Sequence, residues 1–304
     1  DGSQVIAGTS DGAVFVYSVS NASVQFELAA HKNGLGPVAV HPNLALLATG
    51  GQDGFVRVWS LATGEKLTEW EAGAAWVERV AWNTAGTLIA AAAGKKVRLW
   101  DFASKQLVRD FAPAASTVAD IAWQPGKNVL AVAAYGGVHL NSPEQETSGN
   151  HWPYKGSPLK ISWSPDGKML AHGNQDASVH FRYAEDGREL HMSGYPTKVR
   201  ELSWDFRGRY LATGGGAGAC AGGAGMRRGP AGHRVPCAAQ APRQREALAR
   251  PPAHSSGFAW RCHAQPLRGA QDGRVHGWLR GARKSKKAAI RASCWRCGRG
   301  WARA

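Results

Sequence analysis

Through residues 1 to 215 apolar positions recur two apart in runs of four to six, and clusters of Asp, Asn, Gly and Pro separate the runs. One such element reads "VAVHPN" (38–43), "VAWNTAG" (80–86), "IAWQPG" (121–126), "ISWSPDG" (161–167) and "LSWDFRG" (202–208). Each is followed by a second short run: "LLATG", "LIAAA", "VLAVA", "MLAHG" or "YLATG". Period-two runs joined by tight turns, with no stretch of helical period, predict antiparallel sheet.

The runs fall into a larger unit. "SDGAVFVYS" (10–18), "QDGFVRVWS" (52–60), "AGKKVRLWD" (93–101) and "QDASVHFRY" (175–183) are versions of one segment. With the turn placed six residues before the Trp or its substitute, it falls at Asp11, Asp53, Gly94, Tyr135 and Asp176, a period of about 41 residues. A period of this length with four short strands per unit predicts an all-β chain of four-stranded antiparallel propeller blades.

These residues resemble the WD40 family, whose unit runs from Gly-His through a strand and an Asp-bearing turn to Trp-Asp. The literal dipeptide occurs at Trp100 and Asp101. The resemblance implies a rigid platform for protein or peptide partners. It also implies a bracing tetrad of His, Ser or Thr, Asp and Trp, complete only as His31, Thr49, Asp53 and Trp59. The third repeat offers Gly73, Ala91 and Gly94 beside Trp100, and the fifth has Tyr154, His172 and Arg182 around Asp176. Those blades are expected to hold by burial of strand faces, without the polar brace.

The pattern stops after Gly215, where a sixth turn is due near position 217. Residues 216–304 hold only Val235, Val275 and Ile290 as β-branched apolar residues, with no Thr or Tyr, so they are poor sheet material. Two explanations stand: a disordered basic tail, or a GC-rich coding sequence read out of frame. "SGFAWRCHAQPLRGAQDGRVHGW" (256–278) restores the strand, the turn at Asp272 and a Trp at 278, which favours the second. The organisation expected is therefore blades over 1–215, an aberrant, disordered Ala/Gly/Arg/Pro-rich insertion over 216–255, a degenerate repeat over 256–278 and a basic tail over 279–304. Counting turns gives seven blades. The first blade lacks its innermost strand, for which "ASCWRCG" (292–298) is a candidate.

Charge follows the same division. The net charge of +15 would ordinarily point to nucleic acid or an anionic membrane. Residues 216–304 carry 18 bases and two acids, however, leaving 19 bases and 20 acids in 1–215. All five cysteines also lie after the break, so the repeats show no disulfide framework, which suits a reducing compartment. There is no signal peptide and no apolar run long enough to span a bilayer. The chain opens inside a patterned segment, as though residues precede it, and a cytoplasmic location without membrane attachment is expected.

Candidate chemistry is sparse, and neither cofactor nor metal is expected. "GTSDG" (8–12) fits G-x-S-x-G, but it enters a β-hairpin rather than the strand-to-helix elbow a nucleophile needs. "CWRC" (294–297) lacks a convincing second pair for zinc. His172, His180 and His191 share one repeat and are expected not to converge. The Gly-rich run at 214–225 lacks phosphate-loop spacing. "ARKSKK" (282–287) reads as a solvated run more than a phosphate-binding one, and Asn21 opens a sequon that matters only in a secreted chain.

The inner strands give the functional expectation. Three residues before Trp82, Trp123, Trp163 and Trp204 lie Arg79, Asp120, Lys160 and Glu201, alternating in sign. Catalysis or metal binding favours converging groups of like kind, whereas alternating signs pair with one another. The expected function is thus a non-catalytic interaction scaffold. Its partner face would carry Trp76, Tyr154 and Tyr195 as aromatic anchors beside Lys198, Arg200 and the Arg79, Asp120, Lys160, Glu201 ring. The alternatives are a propeller enzyme with a central-channel active site and a nucleic-acid binder acting through the basic tail. Nucleic acid is the less expected partner.

Overall fold

The computed structural model describes residues 2–144 and 150–215, and the backbone of 218–223. All described residues lie in one compact unit. Among them are twenty-two strands and no helix. The first sheet holds β1 (Gln4–Gly8), β2 (Ala13–Ser18) and β3 (Ser23–Ala29). The second holds β4 (Leu35–Val40), β5 (Leu46–Gly51), β6 (Phe55–Ser60) and β7 (Lys66–Glu71), and the third β8 (Val77–Trp82), β9 (Leu88–Ala93), β10 (Lys96–Asp101) and β11 (Leu107–Asp110). The fourth comprises β12 (Asp120–Trp123), β13 (Leu130–Ala134), β14 (Gly137–Asn141) and β15 (His151–Pro153). The fifth comprises β16 (Pro158–Trp163), β17 (Met169–Asn174), β18 (Val179–Tyr183) and β19 (Glu189–Met192). The sixth has β20 (Glu201–Trp204), β21 (Tyr210–Gly215) and β22 (Gly218–Gly223).

Every sheet is an antiparallel meander in chain order, and the second to fifth are the four-stranded blades that the period of about 41 residues predicts. Successive sheets pack face to face through their inner strands, β4 on β8, β8 on β12, β12 on β16 and β16 on β20. The core is accordingly divided into layers between neighbouring sheets. One layer sets Val56, Val58 and Trp70 against Val77, Val80 and Trp82, and the next sets Val97 and Leu99 against Ile121, Trp123 and Leu130. Each such side chain withdrawn from water contributes roughly 1.5–3 kcal/mol.

Being covered on both sides, β5, β9 and β13 are buried along their whole length, and small residues are needed there. Hence the run Ala90–Ala93 in β9; in β17 likewise Gly173 stands where an added Cβ would lie 2.8 Å from the carbonyl oxygen of Val199, in the approach to the next sheet. Outer strands such as β3 and β11 face water over most of their residues.

Two further sets of bonds tie the sheets together. Trp82, Trp123, Trp163 and Trp204 each donate Nε1–H, at 3.2 Å, to a carbonyl of the preceding sheet: Ala39, Ala81, Ala122 and Ser162. At the end where these strands leave, the residue following the Trp position reaches forward. His41 Nε2 lies 3.0 Å from Gly86 O, Asn83 Nδ2 donates to Asn128 Oδ1 at 3.2 Å, and Gln124 Nε2 donates to Gly167 O at 2.7 Å.

The six residues 218–223 were expected to be poor strand material, yet they form β22, paired with β21 from Tyr210↔Gly223 to Gly215↔Gly218. A ladder requires backbone groups alone, and the free edge of β21 supplies them whatever the side chains. The sixth turn, due near 217, lies outside the described residues. The expected seventh turn at Asp272, the closing strand at 292–298 and the basic tail lie outside the described residues.

Candidate interaction face and the polar braces behind it

The second sheet contains a directed chain of hydrogen bonds. Trp59 Nε1–H donates to Thr49 Oγ1 at 3.0 Å, and Thr49 Oγ1 lies 2.9 Å from His31 Nε2. His31 Nδ1 meets Asp53 Oδ1 at 2.9 Å. With the proton on Nδ1 facing the Asp53 carboxylate, Thr49 donates to Nε2, and Arg57 Nη1 lies 2.6 Å from the same Nδ1. Burial pushes the His31 pKa below its usual value and outweighs the pull of Asp53, so the ring is neutral. Gly54, at φ +79°, lets the turn close, because a Cβ there would meet the Gly73 carbonyl oxygen at 2.2 Å.

A fifth member was missed in the sequence. Arg57 donates from Nη1 to Asp53 Oδ2 at 2.7 Å and to Ala30 O at 3.1 Å, while its Nε reaches Glu69 Oε2 on β7 at 3.0 Å. Burial raises the Asp53 pKa, but the bonds from Arg57 and His31 more than offset it and hold the carboxyl low. The available signal was an Arg two residues before the Trp in "VRVW" and again in "VRLW", where Arg98 pairs with Asp110 at 3.1 Å.

The fifth sheet departs from the expectation of a blade without a polar brace. His172 Nδ1 lies 2.8 Å from Asn174 Oδ1, Asn174 Nδ2 donates to Ser178 Oγ at 3.0 Å, and Ser178 Oγ donates to Asp176 Oδ1 at 2.6 Å. His172, Asn174 and Ser178 are buried. Tyr154 completes the set: its hydroxyl bonds to Asp176, and burial together with that carboxylate pushes its pKa up to about 12. Burial pushes His172 down to about 4, so it too is neutral. The turn Asp ends the chain of donors here as it does in the second sheet.

The same sheet overturns the reading that its histidines stay apart. Antiparallel register sets His172 opposite His180 and His180 opposite His191, and the rings lie 5.2 and 5.5 Å apart. Positions eight and eleven residues apart become neighbours because each hairpin folds one strand back along the other.

The expected partner residues divide. Trp76 is 60 % exposed in the loop before β8. Arg200 and Glu201 are exposed and Lys198 is half-buried at the start of β20. Tyr154 and Tyr195 are turned inward instead. The Tyr154 ring packs edge-on against His172 and His180 at 5.2 and 5.0 Å, and the Tyr195 hydroxyl accepts from Thr213 Oγ1 at 3.1 Å. Both occupy the slot of His31, one whole number of repeats on, which is why they are brace members rather than free anchors. Asp120 is likewise 2 % exposed, gripped by Arg79 Nε at 2.9 Å, Lys160 Nζ at 3.0 Å and the Ile161 N–H at 3.0 Å. The ring is therefore a set of ion pairs between sheets through Asp120, with Glu201 outside it.

An unexpected aromatic joins Trp76 on this face. Tyr135, which replaces the turn Asp of the fourth sheet, is 63 % exposed. Its backbone N–H bonds Ser116 Oγ at 2.9 Å in the loop before β12, so turn and loop share one end of the sheet.

Comparison with known proteins agrees with this architecture. The family model described as WD domain, G-beta repeat matches residues 23–60 and 64–101. Those two segments are WD40 repeats. Similar proteins include small ribosomal subunit protein RACK1y of Oryza sativa subsp. japonica, 34 % identical over 70 residues, which are 23 % of this chain and 21 % of that protein. Eukaryotic translation initiation factor 3 subunit I of Aspergillus fumigatus is 33 % identical over 97 residues, covering 32 % of this chain and 28 % of the relative. Small ribosomal subunit protein RACK1z of Arabidopsis thaliana is 44 % identical over 54 residues, 18 % of this chain and 16 % of its own. The matches thus span less than a third of each relative's length. Both family-matched segments fall on the first three sheets, and residues 23–60 include the complete His31–Thr49–Asp53–Trp59 brace. Among the described residues no helix is long and apolar enough to cross a membrane.

Proposed function

We propose that this chain is a non-catalytic protein-interaction scaffold whose partner docks on the face carrying Trp76. The observation that carries the reading is the position of Trp76, 60 % exposed directly ahead of a strand fixed by the Arg79–Asp120–Lys160 ion pairs. A large aromatic held on a rigid base loses little entropy on binding, and Trp, Tyr and Arg dominate interface hot spots. Tyr135, Lys198, Arg200 and Glu201 extend the surface, and the charged residues orient a partner more than they hold it. The names of the relatives direct the search to the small ribosomal subunit and translation initiation factors, and a cytoplasmic location goes with that reading.

The test is capture of partners from cell extract by the full chain and by Trp76→Ala with Tyr135→Ala, with thermal melts of both. Loss of a specific translation-complex partner with an unchanged melting temperature supports the reading. Retention of every specific partner by the folded variant overturns it.

A further inference from the structure

We propose that the fifth blade binds a divalent cation of the zinc class between the imidazoles of His172 and His180 and the carboxylate of Glu189. The donor atoms of these three side chains all lie within 4.8 Å of one another. Two imidazole nitrogens and one carboxylate suit zinc, leaving a fourth position for water. At metal–ligand distances of about 2.0–2.2 Å the donors must close by about 1 Å. The structure leaves that movement to the outer pair: the side chains of His180 and Glu189 are 17 % and 32 % exposed, whereas His172 is buried.

The residues around the three already have the form of a supporting shell. The His172 Nδ1–H donates to Asn174 Oδ1, which Ser178 anchors through Asn174 Nδ2, and this leaves Nε2 with the lone pair a metal needs. Arg182 Nη2 holds Glu189 Oε2 at 2.6 Å, orienting the carboxylate, while Oε1 contacts His180 Nδ1. The charged groups at the site are Arg182, Glu189 and the turn carboxylate of Asp176, so two carboxylates and one guanidinium face the position.

The second blade shows what charge this position accepts. There Arg57 stands opposite Thr49, and its guanidinium bridges the turn carboxylate Asp53 and the outer-strand carboxylate Glu69. In the fifth blade His180 stands opposite His172 in the same register, between Asp176 and Glu189. The place of the Arg57 guanidinium is thus taken by the His180 imidazole, while His191 stands where Glu69 does and the second carboxylate comes from Glu189, two residues earlier on the same outer strand.

The experiment uses the full chain with its thiols alkylated, because all five cysteines lie after residue 215 and free thiolates compete for zinc. After removal of metal with a chelator, zinc is titrated in competition with a chromophoric indicator, and cobalt(II) absorption reports coordination. The expected result is one zinc equivalent per chain that His180→Ala loses and Glu189→Gln binds about 10- to 100-fold more weakly. His139→Ala with His151→Ala, a stacked pair 4.2 Å apart in the fourth blade, should keep it. No stoichiometric binding by the alkylated chain, equal binding by folded His180→Ala, or loss in the fourth-blade variant instead each overturns the proposal.

Discussion

Tyr154 stands in the fifth blade where His31 stands in the second, and each delivers a hydrogen-bond donor to the turn Asp of its own sheet, Asp176 and Asp53 respectively. The two side chains differ in length and chemistry, yet both tie the loop ahead of the innermost strand to the hairpin between the second and third strands. What the blade requires at this point is a donor reaching a carboxylate, and histidine is one of two solutions among the described residues. The inward turn of Tyr154 follows, and with Tyr195 held by Thr213 the exposed aromatics on the face of Trp76 narrow to Trp76 and Tyr135.

Trp59→Phe should destabilise the protein by about 1–3 kcal/mol, because Thr49 Oγ1, fully buried, then loses its indole donor. Trp100→Phe should cost less, since that ring is engaged chiefly by stacking on Trp70 at a centroid distance of 5.6 Å. Urea denaturation of both variants measures the difference. A Trp59→Phe midpoint equal to that of the parent would mean that the bond to Thr49 contributes nothing.

How much of this was legible depended on periodicity. The 41-residue spacing placed every hairpin turn from Asp11 to Asp176, and the positions of Arg79, Asp120 and Lys160 relative to their tryptophans foretold pairing between sheets. The second-blade brace could be identified because His31, Thr49, Asp53 and Trp59 keep the family's residue types. The fifth-blade brace could not, since its His172, Asn174 and Ser178 are assembled by cross-strand register and substitute for one another's roles. Histidine convergence was hidden for the same reason: spacings of eight and eleven residues are not a motif until the hairpins are closed. Strand β22 was illegible from side chains because its pairing depends on the backbone edge of β21.

The indole bonds between sheets should act independently. Trp123→Phe and Trp163→Phe each remove one donor from a carbonyl of the preceding sheet, at a cost of about 1 kcal/mol. The two bonds lie in different layers, so the double variant should lose the sum of the two within about 0.5 kcal/mol. A double-mutant cycle by chemical denaturation checks this, and a coupling well above that size would show that the layers communicate.

Asp120→Ala removes the acceptor shared by Arg79, Lys160 and the Ile161 N–H, and should cost about 2 kcal/mol. Arg79 and Lys160 keep partial access to water, which keeps the loss below that of a wholly buried charge. Arg79→Gln, which leaves Lys160 on the carboxylate, should cost no more than about 1 kcal/mol. Thermal melts at low and high salt separate the cases, and an Asp120→Ala protein as stable as the parent would remove the ring from the list of what fixes the inner strands.

Stability should fall with acidification in a window set by His172. Its ring titrates near 6.5 when unfolded and at about 4 in the native protein, so between these values the unfolded chain binds more protons. Stability is then fully present above about pH 6.5 and declines toward pH 4, by about 3 kcal/mol in total for this one group. His31 acts in the same direction because burial lowers its pKa as well. Urea denaturation from pH 7 to 4, in the presence of a metal chelator, should show the decline, and His172→Gln should flatten it relative to the parent at each pH. The comparison isolates His172 from the carboxylates, whose titration both proteins share. Parallel curves for the two proteins would show that His172 is protonated as readily inside the fifth blade as in water, and that the buried chain from His172 through Asn174 and Ser178 to Asp176 does not hold it neutral.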